Sequence, residues 1–158
     1  MNYHPKYAFW TPQDFELLRR AESYENMLEI VWPLLKRIPG PALQVCGPIS
    51  TGGKGSRKAN FAEFDRAISF LAQRHKNVFD QRPFEIPIQR IKMKENLGYP
   101  QGVLDEFLLP LFKSGSIGSL YFLPGWETSR GSAWEHEQGS KLGIEITYLP
   151  ENFADLEL

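Results

Sequence analysis

The chain has 158 residues, 42% apolar and 23% charged, which suffices for one hydrophobic core. Its 18 basic and 19 acidic side chains leave a net charge of −1, which argues against a general nucleic-acid binder or a membrane-surface protein. The one cysteine, Cys46, excludes an internal disulfide and suits a reducing cytoplasm, and without ligand spacing to its three histidines no metal site is expected.

The N-terminal stretch MNYHPKYAFW lacks the apolar run of a signal peptide, and no later run approaches the length of a membrane span. Thr11-Pro12 reads as a helix start, with Thr11 at the N-cap and proline at the first helical position. Phe15, Leu18 and Ala21 form one helical stripe; Met27, Val31, Leu34, Leu35 and Ile38 form a second. Pro33 inside that span predicts a break or kink near Trp32. Ala42–Cys46 (ALQVC), bounded by proline and glycine, predicts a buried strand. A glycine-rich loop follows, then an amphipathic helix from Lys58 to His75. Asn77-Val78-Phe79 predicts a second strand with Asp80 at its C-terminal end. Residues 81–101 are punctuated by prolines and give no clear pattern. Val103 to Phe112 looks helical within the limit set by Pro110.

Ser119–Leu123 (SLYFL) predicts a strand stopped by Pro124-Gly125. Ser129 then caps a helix to about Leu142, with Lys141 in its last turn and Gly143 in the left-handed position beyond it. Ile144–Leu149 is the final predicted strand. Strands alternating with helices imply a parallel sheet covered on both faces. The expected organisation is an N-terminal helical extension over 1–41, an α/β domain over 42–150 and an acidic tail over 151–158 that frays or packs on a partner.

The loop CGPISTGGKGSRKAN, Cys46 to Asn60, is close to a phosphate-binding P-loop but fails its pattern. Counting from Gly47, Gly53 stands where the lysine belongs, and Lys54 is followed by Gly55 and not by a hydroxyl residue. The dinucleotide fingerprint fails as well, because Pro48 to Thr51 separate Gly47 from Gly52. A general capacity survives: backbone N–H groups after a buried strand can receive an anion or a sugar hydroxyl, with Lys54, Arg57 and Lys58 supplying positive field.

The segment GWETSRGSAWEHEQGSKLG, 125–143, is more informative. Gly131, Glu135 and Gly139 lie four apart and share one helix face. Helical side chains lean toward the N-terminus, so Glu135 extends over the bare Gly131. A glycine in mid-helix costs about 1 kcal/mol relative to alanine, so Gly139 is expected to clear space. Glu137, two residues on, is the solvent-facing acid. On these residues alone an exposed helical glutamate remains the commoner outcome.

Together, CGPIS…N and LPGWETSRGSAWE…KLG resemble the nucleoside 2-deoxyribosyltransferase superfamily, most of all its branch with the pattern G-W-x-x-S-x-G-[AS]-x-x-E. The resemblance covers roughly residues 42–149 and implies a flavodoxin/Rossmann-like α/β fold and cleavage of a nucleoside's N-glycosidic bond. It makes Glu135 the nucleophile that attacks C1′ and forms a glycosyl-enzyme, which passes the sugar to another base or to water. At an ordinary pKa Glu135 would be ionised at pH 7. Where transferases of free nucleosides carry an Asp, this chain has Ser129, as do relatives that hydrolyse nucleoside 5′-monophosphates. A serine hydroxyl at a helix start accepts a phosphate that a carboxylate would repel.

The implied binding residues are Cys46, Gly47, Pro48, Ile49, Ser50, Gly52, Gly53, Asn60, Trp126, Ser129, Arg130 and Gly131. Asp105 and Asp80 are the alternative candidates for the acid that assists the departing base. The usual Asp of the family at the start of the strand before G-W is here Gly118, which leaves a non-catalytic nucleotide-binding module as the other reading. No cofactor, nucleic acid or membrane is implied; a homodimer or higher homo-oligomer is.

Overall fold

A computed structural model describes residues 7–50, 52–95 and 101–155. Three parallel strands, β1 (Ala42–Cys46), β2 (Ile117–Phe122) and β3 (Glu145–Tyr148), form a sheet in that order. Val78 extends it past β1 through one parallel bridge to Leu43, held by Leu43 N–H to Asn77 O and Phe79 N–H to Leu43 O, each 2.8 Å. The expected second strand is thus reduced to a bridge, because Asp80 turns the chain immediately after it. The architecture is mixed α/β, a small flavodoxin/Rossmann-like parallel sheet with helices on both faces. No helix among the described residues is long and apolar enough to cross a membrane.

β1 is buried at all five positions, as expected of a parallel strand covered on both faces. Alternation sends Ala42 and Cys46 to one core and Leu43 and Val45 to the other. The second core is closed by α3 (Arg57–Ala72), which lays Phe64, Ala67, Ile68 and Leu71 on the sheet. It is sealed by Phe153 of the tail, fully buried and 5.6 Å from Phe70 edge to face. The tail through residue 155 is therefore packed and not frayed; its last three residues lie outside the described residues.

The first core receives α6 (Arg130–Lys141) and the N-terminal helices α1 (Pro12–Arg20) and α2 (Tyr24–Arg37). α1 begins with a full capping box between Thr11 and Asp14. The break between the two helices falls at Ala21–Ser23, where Ser23 caps α2, and not near Trp32. Pro33 stays inside α2 because it is exposed, so water can take the carbonyl its missing N–H leaves free. Both apolar stripes are buried, and they join the sheet residues in one continuous cluster. The Asp14 carboxylate, buried, accepts 2.7 and 3.0 Å bonds from Arg37 and ties α1 to the end of α2.

The proline-rich region forms a helix, α4 (Glu85–Glu95), after a short turn at Arg82–Phe84. Pro87 falls in its first turn, where an absent N–H leaves no internal bond unmade. Val103–Leu108 is π-helical and runs into α5 (Leu109–Lys113). Gly118 lies at the amino end of β2, at an irregularity where Ala42 pairs with Ile117 and Leu43 with Ser119. A Cβ there would come within 2.6 Å of Pro41. The glycine is thus a packing requirement at the opposite end of the strand from the loops that follow Cys46 and Phe122.

Candidate active site

After β1 the chain passes through α3 to Val78 on one side of the sheet, then crosses to β2 on the other. β1 and β2 therefore flank a topological switch point, where ligands bind outside the carboxyl ends of strands in such sheets. A cavity of about 290 Å³ lies there. Gly47, Ile49 and Ser50 line it from the loop after β1, and Gln81 from the loop after the Val78 bridge. Ser129, Arg130, Gly131 and Glu135 line it from the start of α6. α4 contributes Glu85, Ile88 and Lys92; the π-helical turn contributes an apolar wall of Val103, Leu104, Phe107 and Leu108. π-helical turns recur at functional sites because they reposition side chains off the regular helical spacing.

Glu135 is buried, 8% exposed, and points toward the end of β1. Its Oε2 accepts the Cys46 thiol at 3.2 Å and lies 3.4 Å from Gln44 Nε2. Gly131, one turn earlier, has open space where a Cβ would stand, so nothing crowds the carboxylate from below. Burial raises the Glu135 pKa to about 7, against the lowering effect of the Cys46 and Gln44 donors. That corrects the sequence expectation: at pH 7 the group is poised between its two forms, not fully ionised. Burial and the neighbouring carboxylate push the Cys46 thiol well up, so it remains a donor. Gln44 turns its NH₂ to Glu135, which leaves its buried Oε1 without a partner among the described residues; Gln81 Oε1 is in the same position.

Ser129 stands at the N-cap with extended backbone, but its hydroxyl makes no capping bond. Ser132 stitches the turn instead, bonding Trp126 O at 2.6 Å. The first N–H groups of α6 thus face the cavity with no intrahelical acceptor, which suits an anion.

The other expected residues distribute as follows. Asn60, 2% exposed, pins the glycine loop: it accepts from Lys54 N–H at 2.8 Å and donates to Ile49 O and Gly52 O at 3.0 and 3.2 Å. Gly52 and Gly53 have left-handed backbone and pack on Thr128, whose Oγ1 accepts from Gly53 N–H at 2.7 Å. Their role is to dock this loop on the 125–128 turn, and they do not line the cavity. Pro48 packs beside Gly53. Lys54 faces Glu151 at 3.8 Å, while Arg57 bonds Ser50 at 2.9 Å and pairs with Glu85. Trp126 stacks on His136 at 4.1 Å beside Tyr148 and is not in the cavity lining.

Neither candidate acid reaches the cavity. Asp105 is exposed and accepts from Gln101 at 2.7 Å, because it falls on the outer face of the π-helical turn. Asp80 is buried, but Arg82 holds both its oxygens at 2.6 and 2.9 Å and also reaches Asp65. It braces the loop after Val78. Gly139 clears space as expected, and what it serves is packing: a Cβ there would meet Leu120 at 2.5 Å, so the glycine lets α6 lie close on β2.

Sequence reasoning missed Gln44, Gln81 and the whole of α4. The signal for α4 was present: Glu85, Ile88 and Lys92 fall at i, i+3 and i+7, one helical face. No family model, no curated protein and no solved structure matches this chain.

Proposed function

We propose that the chain cleaves the N-glycosidic bond of a nucleoside 5′-monophosphate, or exchanges its base, through a covalent glycosyl-Glu135 intermediate. The resemblance to the nucleoside 2-deoxyribosyltransferase superfamily suggests this chemistry. The observation that carries it is a buried carboxylate, held by the Cys46 thiol, facing a cavity over the bare Gly131 at the carboxyl end of β1. In this reading Glu135 attacks C1′ as the bond to the base breaks, and water or a second base then displaces the carboxylate. The α6 N-terminus with Ser129 and Arg130 receives the phosphate. Only the ionised carboxylate attacks, so kcat/KM rises with pH through about 7 in the free enzyme.

The test is base release from a panel of ribo- and deoxyribonucleoside 5′-monophosphates, followed by chromatography, with Glu135→Gln alongside. The expected result is turnover by the native chain and a loss of at least about 10³-fold in the variant. Undiminished release by Glu135→Gln would sink the assignment. A non-catalytic nucleotide-binding module is the second reading, favoured by Asp80 and Asp105 both lying off the cavity. Saturable nucleotide binding without base release supports it.

A further inference from the structure

A purine or pyrimidine anion is a poor leaving group, and the two acids expected to protonate it are engaged elsewhere. We propose that Lys92 is the general acid of this site, giving its proton to the base nitrogen as the glycosidic bond breaks; this rests on the glycosidase reading above.

Lys92 and Glu135 line the same cavity from two different helices, α4 and α6. Glu85, Ile88 and Lys92 share one face of α4, so the lysine stem follows the cavity wall. Lys92 is half-buried and forms no salt bridge among the described residues. The charged groups around it are Glu85 on its own helix, Arg57 beside Glu85 on α3, and Arg130 and Glu135 on α6. Glu85 already accepts from Arg57 and from Gln89 at 3.2 Å, and an arginine does not release its proton. Burial lowers the Lys92 pKa, against Glu85, which raises it, and with Arg57, which lowers it further; the net direction makes it a readier donor.

The step balances. A Glu135 oxygen forms a bond to C1′ while the electron pair of the C1′–N bond moves to the base nitrogen, which takes the Lys92 proton. The neutral amine then accepts a proton from the water that attacks C1′ and expels the Glu135 carboxylate. The products are the base and the sugar 5-phosphate.

The leaving group tests this directly. A pyridinium nucleotide, nicotinamide mononucleotide, releases a neutral base without a proton, whereas adenosine and cytidine 5′-monophosphates need one. For Lys92→Met, kcat/KM on the adenine and cytosine nucleotides should fall about 10²–10⁴-fold, with the pyridinium nucleotide changed by less than about threefold. Lys92→Arg, which keeps the charge but cannot give its proton, should show the same split. Equal losses on both substrate classes would mean that Lys92 holds the phosphate they share, and would overturn the proposal. So would full activity of Lys92→Arg, or no loss in either variant, each checked for native fold by circular dichroism. If the native chain releases no base from these three or from any nucleotide of the panel above, the glycosidase reading itself fails; if it does and the split is missing, only the role of Lys92 fails.

Discussion

Glu135 reaches the cavity against its own solvation. Its folded pKa of about 7 stands above the ordinary value of 4.5, so the folded state binds a proton more tightly than the unfolded chain. The stability that this protonation supplies is complete below about pH 4.5 and is lost as pH rises through about 7. Replacing the carboxyl by a neutral amide removes the dependence. Glu135→Gln should therefore match the native chain near pH 4.5 and exceed it at pH 8.5, by on the order of 1–3 kcal/mol. Urea denaturation at the two pH values measures this, and equal stabilities at pH 8.5 would show that the carboxylate is solvated after all. Cys46 acts on the same equilibrium through its 3.2 Å bond. Removing that donor in Cys46→Ala raises the Glu135 pKa, so the rising limb of the pH–activity profile should move to higher pH. Cys46→Ser, which keeps a donor, should hold the limb near its original place.

At the scale of elements, the glycine loop is a braced structure whose keystone is Asn60, on the first turn of α3. Its side chain makes three hydrogen bonds to the loop while 2% exposed. Truncation removes three part-buried bonds whose loop partners at Gly52 and Lys54 water can then reach, so Asn60→Ala should destabilise the fold by about 1–2 kcal/mol. Amide exchange over residues 47–50 and 52–56 should quicken by more than it does in α6; a uniform change along the chain would show that the loop is not held locally. The sequence showed this loop and its asparagine but not their relation, because Gly52 and Gly53 answer to Thr128, 75 residues away. The helix carrying Ser129, Gly131 and Glu135 was readable because its spacing is local and regular. α4 was not, because prolines in and before its first turn masked an i, i+3, i+7 face whose purpose appears only once the cavity exists. The same holds for Asp80 and Asp105: nothing local distinguishes an acid tied by Arg82 or facing solvent from one aimed at a ligand.

For the molecule as a whole, the N-terminal helices behave as part of the α/β body. Met27, Val31 and Leu34 are fully buried in the cluster that also holds Leu120 and Phe122 of β2. Trp10 donates to Asp80 O at 2.8 Å and lies 5.0 Å from Phe84, a residue of the cavity wall. The segment before β1 thus supports the site from behind, although none of its described residues lines the cavity. Each buried side chain of this kind contributes about 1.5–3 kcal/mol, while a domain is stable by only about 5–15 kcal/mol in total. Three such residues on α2, with Trp10, Phe15 and Leu18 before it, contribute a sum of the same order as that margin, and removing them bares their apolar partners in the cluster. A chain beginning at residue 39 should therefore fail to fold alone, giving a narrow amide proton spectrum and no cooperative melt. Recovery of a dispersed spectrum from that fragment would show that the α/β domain folds without the N-terminal extension. Within the full chain, Trp10→Ala is the milder probe: it removes the ring behind Phe84 and its bond to the chain after Val78. It should lower stability by about 3–5 kcal/mol and, under the proposed function, weaken nucleotide binding together, since the cavity wall and the core are one packed layer.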